Sequence, residues 1–472
     1  MNADKASARV PRGSLGGLVP LHPYLGLVCL GVVCLGLLCL GLACRPSELP
    51  EARPSGVPPL LPEEPDLNII VVSFDALRQD VLGAYGNTRG ATPHMDRFAE
   101  RSFVFREAYS VAPVTPTSFA AAFTGFVPTR VFHAWKLRAP ATLASRLSRA
   151  GYHTTAFMNN VQLTPQRGFD LGFDEYRWSR NDPDEQVLQR VETWLGEAPR
   201  QPFFLWIHFL VPHAPYRAHP GAAHLYRQEA SGRFAVTSGH TFETSDPEEL
   251  ARLQDLYLGE VWRADRLFGR LIARLEEVGL WDSSIVALTS DHGEEFAEHG
   301  GFQHGRLYEE HLRVPLVLHH PRVPERRAVE ARVRNVDLLP TLLESIGHPV
   351  RQALDGRVIP EPAPAPPPPV IAISMTGDET RWASLTHGPR KLIVTCAQKP
   401  SLELYDLETD PGERQDLAES DPETVRRLLR SLRALLGSSP CEAMQQAAQG
   451  RGATVGLDPE SVEALRALGY LR

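Results

Sequence analysis

Four continuous apolar runs, each ending in polar side chains, constrain the fold of this 472-residue chain more than any other feature. They read LNIIVVSFD (67–75), HTTAFMNN (153–160), FFLWIHFLVPH (203–213) and SIVALTSDH (284–292). A run without apolar–polar alternation is typical of a strand buried on both faces, as in a parallel sheet. Helical patterns precede the last three runs, at residues 141–152, 185–195 and 248–278. The pattern therefore predicts an α/β fold with a mostly parallel central sheet and helices on both faces.

Composition and charge are those of a globular protein. The hydrophobic share of 43% is enough for a sizeable core. The net charge of −8 is spread without long runs of one sign, and no basic stripe is present. Because nucleic-acid-binding surfaces are basic, the sequence excludes nucleic acid as a partner.

Residues 25–44 are uncharged and apolar, and their length fits the roughly 17–25 residues that span a bilayer as a helix. Lys5, Arg9 and Arg12 lie before them, in a basic N-terminal segment 1–24. Positive charge on this side predicts an inward amino terminus. We therefore expect the rest of the chain to be membrane-anchored and extracytoplasmic, in a bacterial periplasm or at a cell surface.

The six cysteines fall into two groups. Four lie in the apolar segment at intervals of five residues, which scatters them around a helix and excludes a metal site there. The last of them, Cys44, follows Ala43 in a sequence that resembles a lipoprotein signal, so a lipid anchor and a transmembrane anchor both stay open. Cys396 and Cys441 would pair only in an oxidising compartment, and the sequence leaves their pairing open.

The remaining boundaries follow changes in composition. A small C-terminal α+β subdomain is predicted because KLIVT and LELYDLETDPGE favour antiparallel strands and PETVRRLLRSLRALLG favours a helix. The predicted segments are a Pro-rich tether at 45–66, the large domain at 67–350, a Pro-rich linker at 351–370, the subdomain at 371–437 and a tail at 438–472.

Acidic and imidazole side chains stand at the ends of two predicted strands. Asp75 ends the first run, and Asp291 and His292 end the last. Each alone is more typical of a turn or cap, but the carboxyl ends of parallel strands share one sheet edge. Together the three predict a divalent metal site, with Mn²⁺ or Zn²⁺ favoured by the imidazole and Mg²⁺ or Ca²⁺ less favoured.

The stretch TPTSFAAAFTG between them is typical of a short helix. Thr115 is predicted as its N-cap, Pro116 as its first helical residue and Gly125 as its end. Free amide groups at such a helix start attract a tetrahedral oxyanion. Thr115 is therefore either the centre of an anion site or merely a capping residue.

Ten segments in register resemble the sulfatase-like branch of the alkaline phosphatase superfamily from about residue 67 to 420. They are VSFDALRQDVLGAYG, TPHMDRFAE, TPTSFAAAFTG, GYHTTAFMNN, GFDLGFDEY, HFLVPHAPY, TSDHGEEFAEHG, HGRLYEEHLRVPLVL, VDLLPTLLESIG and ELYDLETDPGE. The resemblance implies a bound divalent metal, a nucleophile touching it, and transfer of a sulfuryl or phosphoryl group from an ester substrate.

By position in these segments, the resemblance assigns roles to named residues. It implies that Asp75, Asp291 and His292 are metal ligands and that Thr115 is both nucleophile and ligand. It also implies that His213, His304 and Asn160 contact the substrate. Of these, His213 and His304 also take part in catalysis. His299 and Glu294 are interpreted as structural or supporting residues.

Departures from the sulfatase pattern favour phosphoric esters. True sulfatases oxidise a Cys or Ser to formylglycine within C/S-x-P-x-R, whereas this chain has Thr115 in that place and Phe119 in place of the arginine. Threonine cannot give that aldehyde, because its β-carbon bears a methyl group. The Lys and His of a further sulfatase motif align with Met158 and Asn160, and a second metal-site Asp is replaced by Ala76.

We therefore expect an anchored, metal-dependent hydrolase or transferase that acts on a phosphodiester or a phosphonate monoester through a Thr nucleophile. One alternative is a sulfatase that works without formylglycine or with Ser118 as nucleophile. A second is a non-catalytic surface binding protein that has kept the fold.

Overall fold

The computed structural model describes residues 57–180, 182–227, 246–362, 364, 366–375 and 381–448. The predicted segments 1–24 and 25–44 lie outside these residues, as do the first part of the tether and the tail beyond residue 448. None of the helices in the described ranges combines the length and apolar character that a membrane span requires.

Within the described residues, the strands form one large sheet and three smaller ones. They are β1 Asn68–Asp75, β2 Phe103–Tyr109, β3 Phe132–His133, β4 Lys136–Leu137, β5 His153–Met158, β6 Glu175–Trp178, β7 Phe203–Pro212, β8 Ser284–Ser290, β9 Glu295–Phe296, β10 Phe302–Gln303, β11 Leu316–His319, β12 Arg327–Arg334, β13 Val370–Ser374, β14 Arg381–His387, β15 Arg390–Cys396 and β16 Ser401–Asp406.

The α-helices are α1 Pro93–Ala99, α2 Thr115–Thr124, α3 Pro128–Val131, α4 Leu143–Arg149, α5 Asp184–Gly196, α6 Pro247–Glu277, α7 Glu309–Leu312, α8 Leu338–Ser345, α9 Pro422–Leu436 and α10 Pro440–Ala448. Short 3-10 helices are Gln79–Val81, Gly83–Tyr85, Pro165–Arg167, Pro220–Leu225, Trp281–Ser283 and Asn335–Asp337.

The large sheet has the strand order β12-β2-β11-β8-β1-β7-β5-β6. Every pairing is parallel except those of β11, which runs antiparallel to both β8 and β2. All four predicted apolar runs are strands of this sheet, and β1 lies between β8 and β7 at its centre. The predicted mostly parallel α/β fold is confirmed.

Alternate residues of β1 face two separate apolar cores. Ile69 and Val71 belong to one core, which also contains residues of α2, α4 and α8. Ile70, Val72 and Phe74 belong to the other, which also contains residues of α1, α5 and α6. Helices therefore cover both faces, which is why β1 has no polar residue facing solvent.

The C-terminal part is a four-stranded antiparallel sheet in the order β13-β14-β15-β16. Helix α9 buries Val425, Leu428 and Leu432, one stripe of its surface. The pairing that the sequence left open is present, because Cys396 and Cys441 form a disulfide with a Cα–Cα distance of 5.6 Å. It joins β15 to α10.

Parts of the predicted Pro-rich linker 351–370 are packed against the large domain. Val358 and Ile359 are buried, and the Ile359 carbonyl accepts a hydrogen bond of 2.9 Å from the Leu60 nitrogen. These two apolar residues lie before the proline run, which explains why composition alone did not show their burial.

Candidate active site

Asp75, Asp291 and His292 meet at the carboxyl edge of the sheet. Strands β1 and β8 pair in parallel register up to Phe74 and Ser290, so the residues that follow emerge side by side. His292 Nε2 lies 3.6 Å from Asp75 Oδ1 and 3.5 Å from Asp291 Oδ2. A cation with ligand bonds of about 2.0–2.2 Å holds its ligand atoms roughly 3–4 Å apart.

The two carboxylate oxygens nearest to His292 Nε2 accept no hydrogen bond from the described residues. Asp75 Oδ1 and Asp291 Oδ2 are buried, and neither has a hydrogen-bond partner among the described residues. Two buried, unsatisfied carboxylate oxygens close to an imidazole are unfavourable without a positive charge. The residues present therefore fit a divalent cation.

The electrostatics of the site agree with this. Burial, and then the neighbouring Asp75 carboxylate, raises the pKa of Asp291 to about 6. Burial also opposes ionisation of Asp75, but His213 and the other facing histidines hold its pKa well below the usual value. Burial lowers the pKa of His292, which favours the neutral imidazole that binds metals.

Thr115 lies against this group, but not as the helix cap. Helix α2 begins at Thr115, and the extended Val114 takes the cap position, so the predicted N-cap was wrong by one residue. The Thr115 hydroxyl instead lies 3.4 Å from Asp75 Oδ2, to which it donates, and 3.5 Å from His292 Nε2. Gly125 ends the helix as predicted, with φ of 73°.

His213 and His304 reach the same edge from different segments. The ring centroids of His213 and His304 are 5.1 Å apart, and those of His304 and His292 are 4.2 Å apart. The β9–β10 hairpin and Gly305, whose φ is 129°, turn the chain back so that His304 returns to the site. Burial opposes protonation of His213, but the Asp75 and Glu294 carboxylates raise its pKa.

Asn160 contacts Asp75, a carboxylate of the candidate metal site. Its Nδ2 donates to Asp75 Oδ2 at 2.6 Å, and its Oδ1 accepts from the Gln162 nitrogen at 2.7 Å. The second bond fixes which end of the amide faces Asp75. The residue assigned to substrate binding thus also holds Asp75.

The remaining histidine of the 289–305 segment, His299, lies elsewhere. Its Nδ1 lies 2.7 Å from Glu310 Oε1, and its ring stacks on Tyr308 with centroids 3.7 Å apart. These contacts support its interpretation as a structural residue.

His208 is a site residue that sequence reasoning missed. Its Nε2 lies 3.7 Å from Asp75 Oδ2 and 3.4 Å from Asn160 Nδ2, and its side chain is fully buried. His208, Asp75 and Asp291 could together hold a cation, but the Asn160 amide hydrogens face Asp75 Oδ2 and would repel an ion there. A histidine in the interior of the apolar run FFLWIHFLVPH, between Ile207 and Phe209, was the available signal.

Ser118, the alternative nucleophile, is fully engaged in structural contacts. Its hydroxyl donates to the Asp291 carbonyl at 2.7 Å and accepts from Asn335 Nδ2 at 2.9 Å. It thereby links α2 to the segment that carries Asp291 and His292.

Known proteins match this chain over most of its length. A model of the protein family described as Sulfatase matches residues 67–348. An arylsulfatase of Clostridium perfringens is 23% identical over 440 residues, which cover 75% of this chain and 90% of that protein. A Delta 4,5-hexuronate-2-O-sulfatase of Bacteroides thetaiotaomicron is 24% identical over 423 residues, which cover 78% of this chain and 88% of that protein.

A similar fold is seen in a solved structure. The crystal structure of a phosphonate monoester hydrolase of Agrobacterium radiobacter matches with a TM-score of 0.66 and 22% identity. The match covers 78% of this chain and 96% of that chain. The two proteins therefore share a fold.

Proposed function

Because this chain belongs to the sulfatase family, whose members are ester hydrolases of the alkaline phosphatase superfamily, we propose that it hydrolyses or transfers phosphoric esters through Thr115. The substrate is a phosphodiester or a phosphonate monoester. The family match confirms the resemblance found in the sequence motifs. Enzymes of this family use a divalent metal, and we propose Mn²⁺ or Zn²⁺ here, held by Asp75, Asp291, His292 and Thr115.

One observation carries the proposal: the Thr115 hydroxyl lies within 3.5 Å of both Asp75 and His292. A hydroxyl in that place serves as a nucleophile once its pKa is lowered, and a divalent cation when bound supplies that effect and neutralises charge on the ester oxygens. Threonine cannot be converted to the formylglycine of true sulfatases, which favours a phosphorus ester over a sulfate ester.

The side chains of this site have separate tasks in the proposed reaction. Thr115 loses its hydroxyl proton to solvent, and its Oγ1 attacks phosphorus and forms a phosphothreonine as the P–O bond to the alcohol breaks. His213 or His304 gives a proton to the departing alcohol, a contribution of about 10²–10⁴ in rate. Water, or a second alcohol in the transferase case, then breaks the P–O bond to Thr115 and restores the hydroxyl.

The sulfate alternative has support of its own, because relatives in this family are named arylsulfatase and hexuronate-2-O-sulfatase. Ser118 is a poor candidate for its nucleophile, since its hydroxyl is bound to the Asp291 carbonyl and to Asn335. A non-catalytic surface binding protein has no need of two buried carboxylate oxygens held open at one edge.

The test uses the full chain. Bound Mn²⁺ and Zn²⁺ are measured, and hydrolysis of a bis-aryl phosphodiester, an aryl phosphonate ester and an aryl sulfate is compared for wild type, Thr115→Ala and Thr115→Ser. We expect turnover of a phosphorus ester that Thr115→Ala abolishes and Thr115→Ser partly keeps. Full turnover by Thr115→Ala would refute the nucleophile, and activity on the aryl sulfate alone would favour the sulfatase alternative.

We also propose that the enzyme is anchored to a membrane, on its extracytoplasmic side, by residues 25–44 or by a lipid on Cys44. The Cys396–Cys441 disulfide supports this, because disulfides persist in oxidising compartments. Cell fractionation and labelling with a radioactive fatty acid, applied to wild type and Cys44→Ala, test the proposal: a lipid anchor predicts label on wild type that the variant lacks, and a transmembrane anchor predicts membrane retention with label on neither protein. Recovery of wild type in the cytoplasmic fraction would contradict both.

A further inference from the structure

Glu413 occupies a strained and buried position in the turn after β16. Its φ is 52°, in the left-handed region, and the residue is 2% exposed. A non-glycine residue there is disfavoured by roughly 1–2 kcal/mol, and a buried carboxylate is unfavourable unless it is paired. Such positions persist where surrounding contacts determine them, often near functional sites.

The Glu413 carboxylate joins the large domain to the C-terminal sheet. Its Oε2 accepts a hydrogen bond of 2.6 Å from the backbone nitrogen of Glu309, the first residue of α7. Its Oε1 forms an ion pair of 2.8 Å with Lys391 Nζ, which also lies 2.8 Å from Glu309 Oε1. Because Lys391 belongs to β15 and is fully buried, Glu413 and Lys391 together hold α7 to the C-terminal sheet.

Helix α7 in turn packs against the residue that follows the metal-site His292. The Gly293 nitrogen donates to the His311 carbonyl at 2.8 Å. A Cβ at residue 293 would lie 2.0 Å from the Glu310 carbonyl oxygen, so the two backbones are as close as glycine allows. His292 Nδ1 lies 2.9 Å from the Gly293 carbonyl, which orients the ring that presents Nε2 to the site. The placement of α7 therefore sets the placement of Nε2.

A second route connects Glu413 to the same segment. Its carbonyl oxygen lies 3.1 Å from His299 Nε2, and His299 Nδ1 lies 2.7 Å from Glu310 Oε1. His299 stands in the β9–β10 connection that leads to His304. Glu413 thus contacts both α7 and the hairpin that precedes His304.

We propose that Glu413 is a positioning residue of the metal site, acting through α7 and Gly293 on His292 from a turn of the C-terminal sheet. The inference rests on the proposed function, because it presupposes a cation at Asp75, Asp291 and His292. It gives the C-terminal sheet a role in metal binding although none of its residues touches the cation.

Two substitutions at residue 413 separate this role from a structural one. Glu413→Gly removes the carboxylate at a φ that glycine adopts freely, and it leaves Lys391 paired with Glu309. Glu413→Gln keeps an oxygen that accepts from the Glu309 nitrogen. Zn²⁺ affinity of the full chain is measured by competition with a chelating dye, together with the absorption spectrum of the Co²⁺ form and the unfolding midpoint of the metal-free form.

We expect Glu413→Gly to bind Zn²⁺ about ten- to a hundredfold more weakly than wild type and to change the absorption spectrum of the Co²⁺ form. Effects of this size are typical when a residue that supports a metal ligand, without touching the metal, is lost. We expect Glu413→Gln to stay within about threefold of wild type in Zn²⁺ affinity. Glu413→Gly is expected to unfold at a lower midpoint than wild type, because it removes one partner of a buried network, and its Zn²⁺ affinity is measured under conditions in which the metal-free form is folded. Wild-type affinity in Glu413→Gly would overturn the inference, as would an equal loss in Glu413→Gln.

A third variant covers the case in which Glu413→Gly does not fold. Glu413→Asp keeps the charge but shortens the reach to the Glu309 nitrogen, so a weaker Zn²⁺ affinity supports the inference and wild-type affinity overturns it. Failure of wild type itself to bind Zn²⁺ or Mn²⁺ would refute the proposed metal site instead.

Discussion

Glu294 Oε1 lies 3.1 Å from Nδ1 of His304, directly behind the imidazole that faces the candidate active site. The other carboxylate oxygen accepts a hydrogen bond of 2.7 Å from the Tyr216 hydroxyl. Burial opposes ionisation of Glu294, but His304 and the nearby His213 hold its pKa below the usual value. A buried carboxylate therefore contacts the His304 ring nitrogen that faces away from the candidate active site and fixes the orientation of the ring.

Replacing this anion by an amide is expected to impair proton transfer to the leaving alcohol. We expect Glu294→Gln to lower kcat about ten- to a hundredfold and to change KM less. This loss in kcat is smaller than the loss expected when the general acid itself is removed. Steady-state kinetics across pH on a phosphorus ester measures this. The matched control is Tyr216→Phe, which removes one hydrogen bond and keeps the charge. An unchanged kcat in Glu294→Gln would show that His304 does not depend on this carboxylate.

Removing the Ser118 hydroxyl is expected to affect stability more than turnover. Ser118→Ala deprives the Asp291 carbonyl of a donor and Asn335 of an acceptor, at a cost of about 1–3 kcal/mol for buried groups left unpaired. Urea unfolding measures this cost, and turnover per folded molecule is expected to fall less than about tenfold. A loss as large as that of Thr115→Ala would instead favour Ser118 as the nucleophile.

The sequence predicted the parts of the site that depend on strand ends. Asp75, Asp291 and His292 follow apolar runs, and parallel strands place their carboxyl ends at one edge whatever their order. Residue type and position were therefore sufficient to bring these three together before the strand order was known.

Contacts that depend on strand register or strand direction could not be predicted from the ends of the apolar runs. His208 lies within a strand run, and its approach to Asp75 follows from the β1–β7 register that puts it opposite Ser73. The antiparallel β11 gave no sequence signal, because a four-residue buried strand has the same apolar pattern in either direction. The one-residue shift of the α2 cap reflects the usual imprecision of helix ends.

Opening the Cys396–Cys441 disulfide is expected to destabilise the C-terminal sheet and α10. The cysteines are separated by 45 residues, and a loop of that length corresponds to about 4 kcal/mol in the chain-entropy account. We expect the double Cys396→Ser, Cys441→Ser variant to unfold at lower urea concentration than oxidised wild type. Reduced wild type is the control and should resemble the variant. Equal midpoints for oxidised and reduced wild type would contradict the expectation.

Asp265 of α6 is expected to make stability depend on pH. Burial raises its pKa from 3.8 to about 7. Two hydrogen bonds to Oδ1, from the backbone nitrogens of Met95 at 2.7 Å and His94 at 2.9 Å, lower the pKa but do not outweigh burial. The folded protein thus holds this proton more tightly than the unfolded chain does. The resulting stabilisation is fully present below about pH 4 and is lost as pH rises to about 7.

The substitution Asp265→Asn tests this sign, because its amide oxygen can accept from the same two backbone nitrogens and carries no charge. We expect the free energy of unfolding of the variant, minus that of wild type, to increase by up to about 4 kcal/mol between pH 4 and pH 8. Each unit of difference between the folded and unfolded pKa of Asp265 contributes about 1.36 kcal/mol. Urea unfolding at intervals across this range measures the difference. Asp282→Asn, at an exposed carboxylate, is the matched control for the removal of one negative charge. Parallel curves for Asp265→Asn and wild type would show that the buried carboxyl keeps its ordinary pKa, and that its two backbone hydrogen bonds offset its burial.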